Sequence, residues 1–537
     1  MKRVSFYTLG CKVNAYDTES MRRLFEDNGY AVVDFGEKAD IVVVNTCTVT
    51  SAADKKSRAA IRRAARTGKV IVAGCISQKD PKAALGIGGV SAAVGTDGRA
   101  RIVEVAQRLL SGEDGIDATC PLYGCGYEEL YAGPPSDRTR GIIKIQEGCG
   151  NYCSYCVIPY VRGMPRSREY ESVMREARAM RDGGVKEIVL TGIHIASYRD
   201  KGRSLSDLIT GLDELNARVR IGSIEPGVLG EEFVAAAARA KNFCPHFHVS
   251  LQSGSGSVLS RMNRKYTPEE YSEFLALLRR YFENPAVTTD VIAGFPGETD
   301  AEHEETKAFV ESCAFSRIHV FPFSARKGTK AYGMEPKVPK NVIRERTAEL
   351  LRIGDALERR YVEGLVGKDA EVLFEDESGS FPGCLEGYSE RYVRVAAKAQ
   401  KNELKKVKII KAAGKTAYGE GEDKMSDCIF CKIVSGEIPS SKVHEDENVL
   451  AFHDIDKKAP VHILIVPKKH IASVSEVAES DMGIFAGLVG AAKKIAAQNG
   501  LEGGFRLVIN DGADGGQTVA HLHVHLLGGR RMGWPPG

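Results

Sequence analysis

The sequence predicts an α/β multidomain protein: an open α/β sheet, a partial barrel of six βα units, a small β domain and a final domain mixing α and β. Three observations carry this. Short β-branched runs alternate with helix-length segments over 1–111 and again from Ile142. The 537 residues exceed what one core can hold. From Met425 onward the chemistry also changes, with 11 Lys/Arg against 13 Asp/Glu and 7 of the 12 histidines.

In the first domain (1–111) the strands are Val4–Leu9, Ile41–Thr46 and Val70–Ala73. Cys11, Cys47 and Cys75 each follow the carboxyl end of one of them. In an open parallel sheet those ends share one edge, where ligands bind. One cysteine there is ordinarily structural, whereas three at one topological position point to a shared ligand. Residues 112–138, rich in Gly, Pro and charge, read as a linker.

The second domain (139–363) has strand signals at Ile142–Gln146, Glu187–Thr191, Arg220–Ile224, Phe247–Leu251, Thr288–Val291 and Ile318–Phe321. Thr267-Pro268-Glu269-Glu270 is a helix start between two of them. In a barrel of this kind the active residues sit at the carboxyl ends of strands. Cys149, Cys153 and Cys156 follow the first strand with spacing C-x3-C-x2-C. Zinc ordinarily takes four ligands in paired knuckles. Three thiolates suit a [4Fe–4S] cluster with one iron left open.

Residues 364–412 read as a small β domain of three runs, EVLFED, YVRVAAK and KVKIIK, and 413–424 as a second linker. Residues 425–537 form the last domain. There is no apolar run of membrane-spanning length. The opening MKRVSFYTLG enters a strand pattern without a signal-peptide segment, so a cytoplasmic location is expected.

Positive charge is concentrated at two places. Lys55, Lys56, Arg58, Arg62, Arg63 and Arg66 fall in an acid-free stretch, and 391–411 holds eight Lys/Arg against Glu403 alone. Such clusters suit phosphate contacts, although a charge run is ordinarily a solvated face. Arg162, Arg166 and Arg168, just beyond the cysteine loop, are further candidates for holding RNA. Cys120, Cys125, Cys244, Cys313 and Cys384 show no partner pattern.

The motifs TLGCKVN, VNTCTVT, EGCGNYCSYC, SLQSGS and TDVIAGFPGET make residues 1 to about 412 resemble the radical S-adenosylmethionine (SAM) methylthiotransferases. TLGCKVN and FPFSARKGTKA are most similar to the branch acting on N6-threonylcarbamoyladenosine beside the tRNA anticodon. Sister branches act on isopentenyladenosine in tRNA or on a ribosomal protein. The resemblance implies two 4Fe–4S clusters, on Cys149/Cys153/Cys156 and on Cys11/Cys47/Cys75. It also implies SAM contacts from Gly192, Glu225, Gln252 and Ser253, an RNA-binding TRAM-like β-barrel at 364–412, and tRNA plus a flavodoxin or ferredoxin as partners.

In the last domain, HLHVHLL alternates His521, His523 and His525, which on a strand would share one face. With CIFCKIVSGEIP, APVHILIVPKKH and GGRRMGWPPG this resembles the histidine-triad (HIT) proteins, an α+β fold. By that resemblance His523 is the nucleophile of a purine nucleotide phosphoramidase, assisted by His521, His525 and His462. Asn510 and Thr518 would meet the phosphate and Asp454 the ribose, with homodimerisation through this domain. Some members hold zinc, here on Cys428, Cys431, His470 and His521. A nucleotide-binding or dimerising module with little turnover is the alternative.

Overall fold

A computed structural model describes residues 1–135, 139–421, 428–477 and 481–533. The chain divides into two compact units, Met1–Glu420 and Gly421–Gly537.

The first unit opens with a six-stranded, all-parallel sheet in the order Ala31–Val33, Arg3–Thr8, Ile41–Thr46, Lys69–Gly74, Val90–Val94, Ile116–Ala118. Ile41–Thr46 is buried along its whole length, as a central parallel strand covered on both faces must be. The strand order reverses between Arg3–Thr8 and Ile41–Thr46, so a crevice opens at their carboxyl ends. Ile116–Ala118 lies in the stretch read as a linker. It is a three-residue edge strand (IDA) with too short an apolar pattern to announce itself.

The second domain is a parallel half-barrel in two sheets. One runs Arg218–Ile221, Glu187–Gly192, Arg140–Glu147 with the short antiparallel Arg166–Ser167; the other runs Ser223–Ile224, His246–Val249, Ala286–Ala293, Arg317–Pro322. The strand expected over Arg220–Ile224 is thus broken at Gly222, whose N–H donates to Leu190 O at 2.8 Å. One large core, including Ile143, Ile145, Ile188, Leu190, Phe247 and Val291, packs these strands under the helices. The helix Pro268–Tyr281 begins with the expected capping box of Thr267 and Glu270.

Five strands, Asp369–Glu377, Leu385–Ser389, Arg394–Ala397, Leu404–Ala413 and Thr416–Gly421, close into a barrel, consistent with a TRAM-like domain. The last lies inside the second expected linker. Gly419 is a packing residue: a Cβ there would come within 2.7 Å of Val407 Cγ2. The remainder of that linker, 422–424, and the start at Met425 lie outside the described residues.

Glu187, fully buried, fastens the half-barrel to the small barrel. Arg218 and Arg140 (3.3 Å) pair with it, and so does Arg220 (2.7 Å). These arginines also reach Glu371 O, Ser389 O, Glu390 O and the Glu375 carboxylate.

The second unit is a five-stranded antiparallel sheet in the order Lys442–Glu445, Val449–His453, Val461–Pro467, Val524–Gly528, Arg506–Val508. The helix Met482–Gln498 buries Leu488, Ala492 and Ile495 on it. Among the described residues no helix is long and apolar enough to cross a membrane.

Candidate active sites

The cysteine loop leaves the Arg140–Glu147 strand through Gly148, which has φ +77° and lies so close to Met164 O that a Cβ would sit 2.1 Å away. Cys149 N–H donates to Gly163 O at 2.9 Å, pinning the loop. Each of the three sulfurs then accepts one N–H: Cys149 from Asn151 N (3.5 Å), Cys153 from Arg264 Nη1 (3.4 Å) and Cys156 from Ile158 N (3.4 Å). Donors directed at every sulfur suit thiolates that bind iron, and such bonds help to set a cluster's potential.

The second trio stands on three adjacent strands at the crevice. Cys11 caps the helix Lys12–Asp27, Cys47 directly follows Ile41–Thr46, and Cys75 opens the short helix Cys75–Lys79. Gly10 (φ +111°) permits the close approach of the first two, since a Cβ there would be 2.9 Å from Cys47 Cβ. Cys75 is buried against Val157 and Val161, the residues just after Cys156. The second trio thus packs, through Cys75, against the chain that follows the first. Burial pushes the Cys75 thiol up to about 11 and the Cys156 thiol up to about 12.

The structure corrects the reading of Arg162, Arg166 and Arg168 as RNA-holding residues. Arg162 is buried and joins Glu147 (2.9 Å), Asp17 (3.2 Å) and Asn14 (2.5 Å). Arg166 binds Asp97 at 2.5 Å, and Arg168 pairs with Glu129 (2.7 Å) and with Glu176. They lock the two domains together instead of meeting a ligand. The basic helix Ser51–Ala64 does present Lys55, Lys56 and Arg62 to solvent, with Arg66 exposed just beyond it. Arg63 lies over the Phe35 ring at 4.3 Å and Arg58 pairs with Asp54 at 3.5 Å. On the small barrel Arg394, Lys398, Lys401, Lys406, Lys408 and Lys411 are exposed.

Of the expected SAM contacts, Glu225 is the best placed. It accepts from Asn151 Nδ2 of the cysteine loop at 2.7 Å and pairs with Arg264 at 3.2 Å. Burial alone would raise its carboxyl, but His194 and Arg264 outweigh that and hold it below the usual range. Its Oε1 and His194 Nε2 are buried without a hydrogen bond. Gly192 ends its strand against Gln146 O, where a Cβ would be 2.8 Å away. Gln252 holds a left-handed φ of +72° and is 9% exposed. Ser253 is turned the other way, its hydroxyl 3.1 Å from Thr306 on the helix Asp300–Ser312. Arg264 and Asn151 were not singled out from sequence; Asn151 lies in EGCGNYCSYC, one of the segments that carried the resemblance.

In the second unit the strand begins only at Val524, so His525 alone of the triad lies in it. His521 and His523 precede it, and between them Leu522 N–H bonds Ile471 O across a loop. Alternation still brings both rings against Phe430, at 5.9 and 5.3 Å. His523 Nδ1 lies 2.6 Å from His521 O. A carbonyl can only accept, so that nitrogen carries the proton and Nε2 keeps its lone pair. His462 Nδ1 accepts from Lys458 N (3.2 Å), so its Nε2–H faces His525 Nδ1 (2.9 Å) and Asp454 (3.3 Å). Burial, with His523 and His462 beside it, lowers His525 to about 4, so it is neutral at pH 7. Asn510 reaches Gly516 O at 3.4 Å and Thr518 is exposed.

Cys428, Cys431, His470 and His521 converge, with all their ligand atoms within 4.8 Å of one another. His521 Nε2–H donates to Pro467 O at 2.9 Å, which aims its Nδ1 lone pair at the group. Nδ1 of His470 and of His521 are 3.2 Å apart, and the sulfur-to-nitrogen separations run from 3.2 to 3.4 Å. His521 thus belongs to this group by its ring and to the triad by its backbone carbonyl.

These sites define a radical SAM protein with a second cysteine domain and an appended histidine-triad unit. Family models agree: an uncharacterized protein family, UPF0004, matches residues 3–95, the radical SAM superfamily 143–310 and the HIT domain 435–532. The chain belongs to the radical SAM methylthiotransferase family. It is 40% identical to the threonylcarbamoyladenosine tRNA methylthiotransferase MtaB of Bacillus subtilis (strain 168), over 82% of this chain and 98% of that protein. It is 38% identical to the protein of the same name from Thermotoga maritima, over 73% and 91%. A crystal structure of a HIT family hydrolase from Legionella pneumophila is 54% identical over 21% of this chain and 100% of that one, with a TM-score of 0.21. Radical SAM membership implies a [4Fe–4S] cluster and SAM.

Proposed function

We propose that the first unit adds a methylthio group to C2 of N6-threonylcarbamoyladenosine beside the anticodon of tRNA, and that the second is a purine nucleotide phosphoramidase. The packing of Cys75 against Val157 and Val161 carries the first reading, because it sets a second three-thiol site against the loop of the first. Cys149, Cys153 and Cys156 would hold one cluster, and Cys11, Cys47 and Cys75 a second. Together with SAM these would supply radical cleavage of the sulfonium and the sulfur to be transferred.

The protein's own residues do the positioning. Arg264 and the loop N–H groups donate to the sulfurs. Glu225, its Oε1 ion-paired with Arg264 but without a hydrogen bond, suits an N–H or O–H of SAM, with Gly192 and Gln252 as further contacts and Ser253 serving the loop. The basic helix and the small barrel would hold the tRNA backbone. The target base leaves its stack to enter, and a flavodoxin or ferredoxin would supply electrons. Nucleosides from tRNA of a deletion strain test this reading. The 2-methylthio derivative of threonylcarbamoyladenosine should disappear, and its persistence, or loss of the isopentenyl derivative instead, refutes it.

In the second unit His523 Nε2 would attack the phosphorus of an adenosine phosphoramidate. An N–P bond to His523 forms as the bond to the leaving amine breaks, and water then releases AMP. His462 and His525 are the neutral donors beside it, Asn510 and Thr518 would face the phosphate, and Asp454 the ribose. Cys428, Cys431, His470 and His521 would hold zinc.

A further inference from the structure

Where the half-barrel meets the first domain and the small barrel lies a cavity of about 300 Å3 with a mostly basic lining. Ile143, Ile188 and Leu190 pack under the helices, so strand alternation turns Arg140, Ile142 and Val189 inward. All three line the cavity, joined by Arg220, by Tyr392 of the small barrel and by Lys12. Lys12 directly follows Cys11, and its ammonium is 5.7 Å from the centre of the Tyr392 ring.

The cations here are under-neutralised. Arg140, Arg218 and Arg220 share the single carboxylate of Glu187. Glu375 is engaged by Arg140 and Thr139, and Asp376, on the cavity wall, is exposed. Among the described residues Lys12 makes no ion pair, and although the residue is exposed it lines this cavity. An apolar N6 substituent would gain nothing from such a lining, whereas a small carboxylate would.

We propose that Lys12, backed by Arg140 and Arg220, binds the carboxylate of the threonylcarbamoyl group, so that this site selects acidic over apolar N6 substituents. The inference rests on the threonylcarbamoyladenosine reading above. It follows the chemistry of the base: C2 and the N6 substituent flank the same ring nitrogen. A base whose C2 meets the Cys11/Cys47/Cys75 site therefore carries its substituent past the residue next to Cys11.

The test uses full-length enzyme with both cluster sites loaded. The substrates are an anticodon stem-loop carrying threonylcarbamoyladenosine and the same stem-loop with the threonyl carboxylate methyl-esterified. For the wild type, KM should be at least about tenfold lower for the free acid than for the ester. Lys12→Ala at wild-type iron content should raise KM for the acid by at least about tenfold and leave the ester unaffected, and Lys12→Arg should restore most of the preference. Equal KM for acid and ester in the wild type, as a tRNA phosphate contact at Lys12 would give, overturns the proposal. So does an unchanged preference in Lys12→Ala. No 2-methylthio product from the wild type on either stem-loop would instead bring down the functional reading itself, and this inference with it.

Discussion

Replacing His470 with Ala should strip the second unit of one zinc and lower its unfolding temperature. Tetrahedral zinc with Zn–N near 2.05 Å and Zn–S near 2.3 Å places nitrogens about 3.3 Å apart and sulfur about 3.6 Å from nitrogen. The observed separations are 3.2 Å between nitrogens and 3.2–3.4 Å from sulfur to nitrogen, so the ligands stand within a few tenths of an ångström of their places. Little reorganisation then opposes binding. At free zinc of about a thousand times Kd, the metal stabilises the unit by roughly 4 kcal/mol. For a domain of this size that is about 10–20 °C in Tm. Zinc should not be required for folding, because Leu488, Ala492, Ile495, Val524 and Leu526 form a core of their own. The assay is metal analysis of the purified chain, with calorimetry of wild type, chelator-treated wild type and His470→Ala. One zinc per chain and coincident downshifts in the last two are expected. A metal-free wild type, or a chelator shift under about 2 °C, would refute the argument.

Three other outcomes follow from the geometry. His523→Ala should lower AMP release from adenosine 5′-phosphoramidate by about a thousandfold or more while leaving AMP affinity, read by calorimetric titration, nearly intact; retained turnover would show that another group attacks phosphorus. Cys75→Ala should remove about half the iron and leave the SAM-cleaving cluster, so that Mössbauer spectra show one cube per chain; a wild type that reconstitutes with only one cube would exclude the paired arrangement. Glu187→Gln leaves buried Arg218 and Arg220 without their carboxylate and should cost about 3–5 kcal/mol in urea unfolding of the first unit. Burial would raise that carboxyl, but Arg220, Arg218 and Arg140 outweigh it and hold it below the usual range. A depressed folded value means the stabilisation is full above the unfolded value of about 4.3 and is lost as pH falls below it. The gap between wild type and variant should therefore be flat from about pH 6 to 8 and close in acid; a gap that widens in acid would contradict the assignment.

What the sequence made legible depended on how local the controlling interaction is. The cysteines at strand ends were readable because β-branched runs announce their strands and parallel topology brings their ends together without any side-chain detail. The sharing of His521 between two sites was only half readable. Spacing suggested both roles, but the choice depends on Pro467 O, which takes Nε2–H and turns Nδ1 toward the cysteines. Strands hidden in glycine-rich text escaped for a related reason. TAYGEG reads as a linker until the closed barrel sets Val407 against Gly419.

The arginines after the cysteine loop show the limit most clearly. Arg162, Arg166 and Arg168 look like a solvated basic cluster because nothing in the adjacent sequence names the carboxylates they pair with. Their partners Asp17, Asp97, Glu147 and Glu176 are supplied by the first domain, the barrel strand and the helix Tyr170–Asp182. A buried guanidinium must be paired to be tolerated, so four carboxylates from separate elements had to converge for this loop to fold. That convergence places Arg162 between Glu147 and Cys75. The charges therefore tie the first domain to the strand that leads into the cysteine loop.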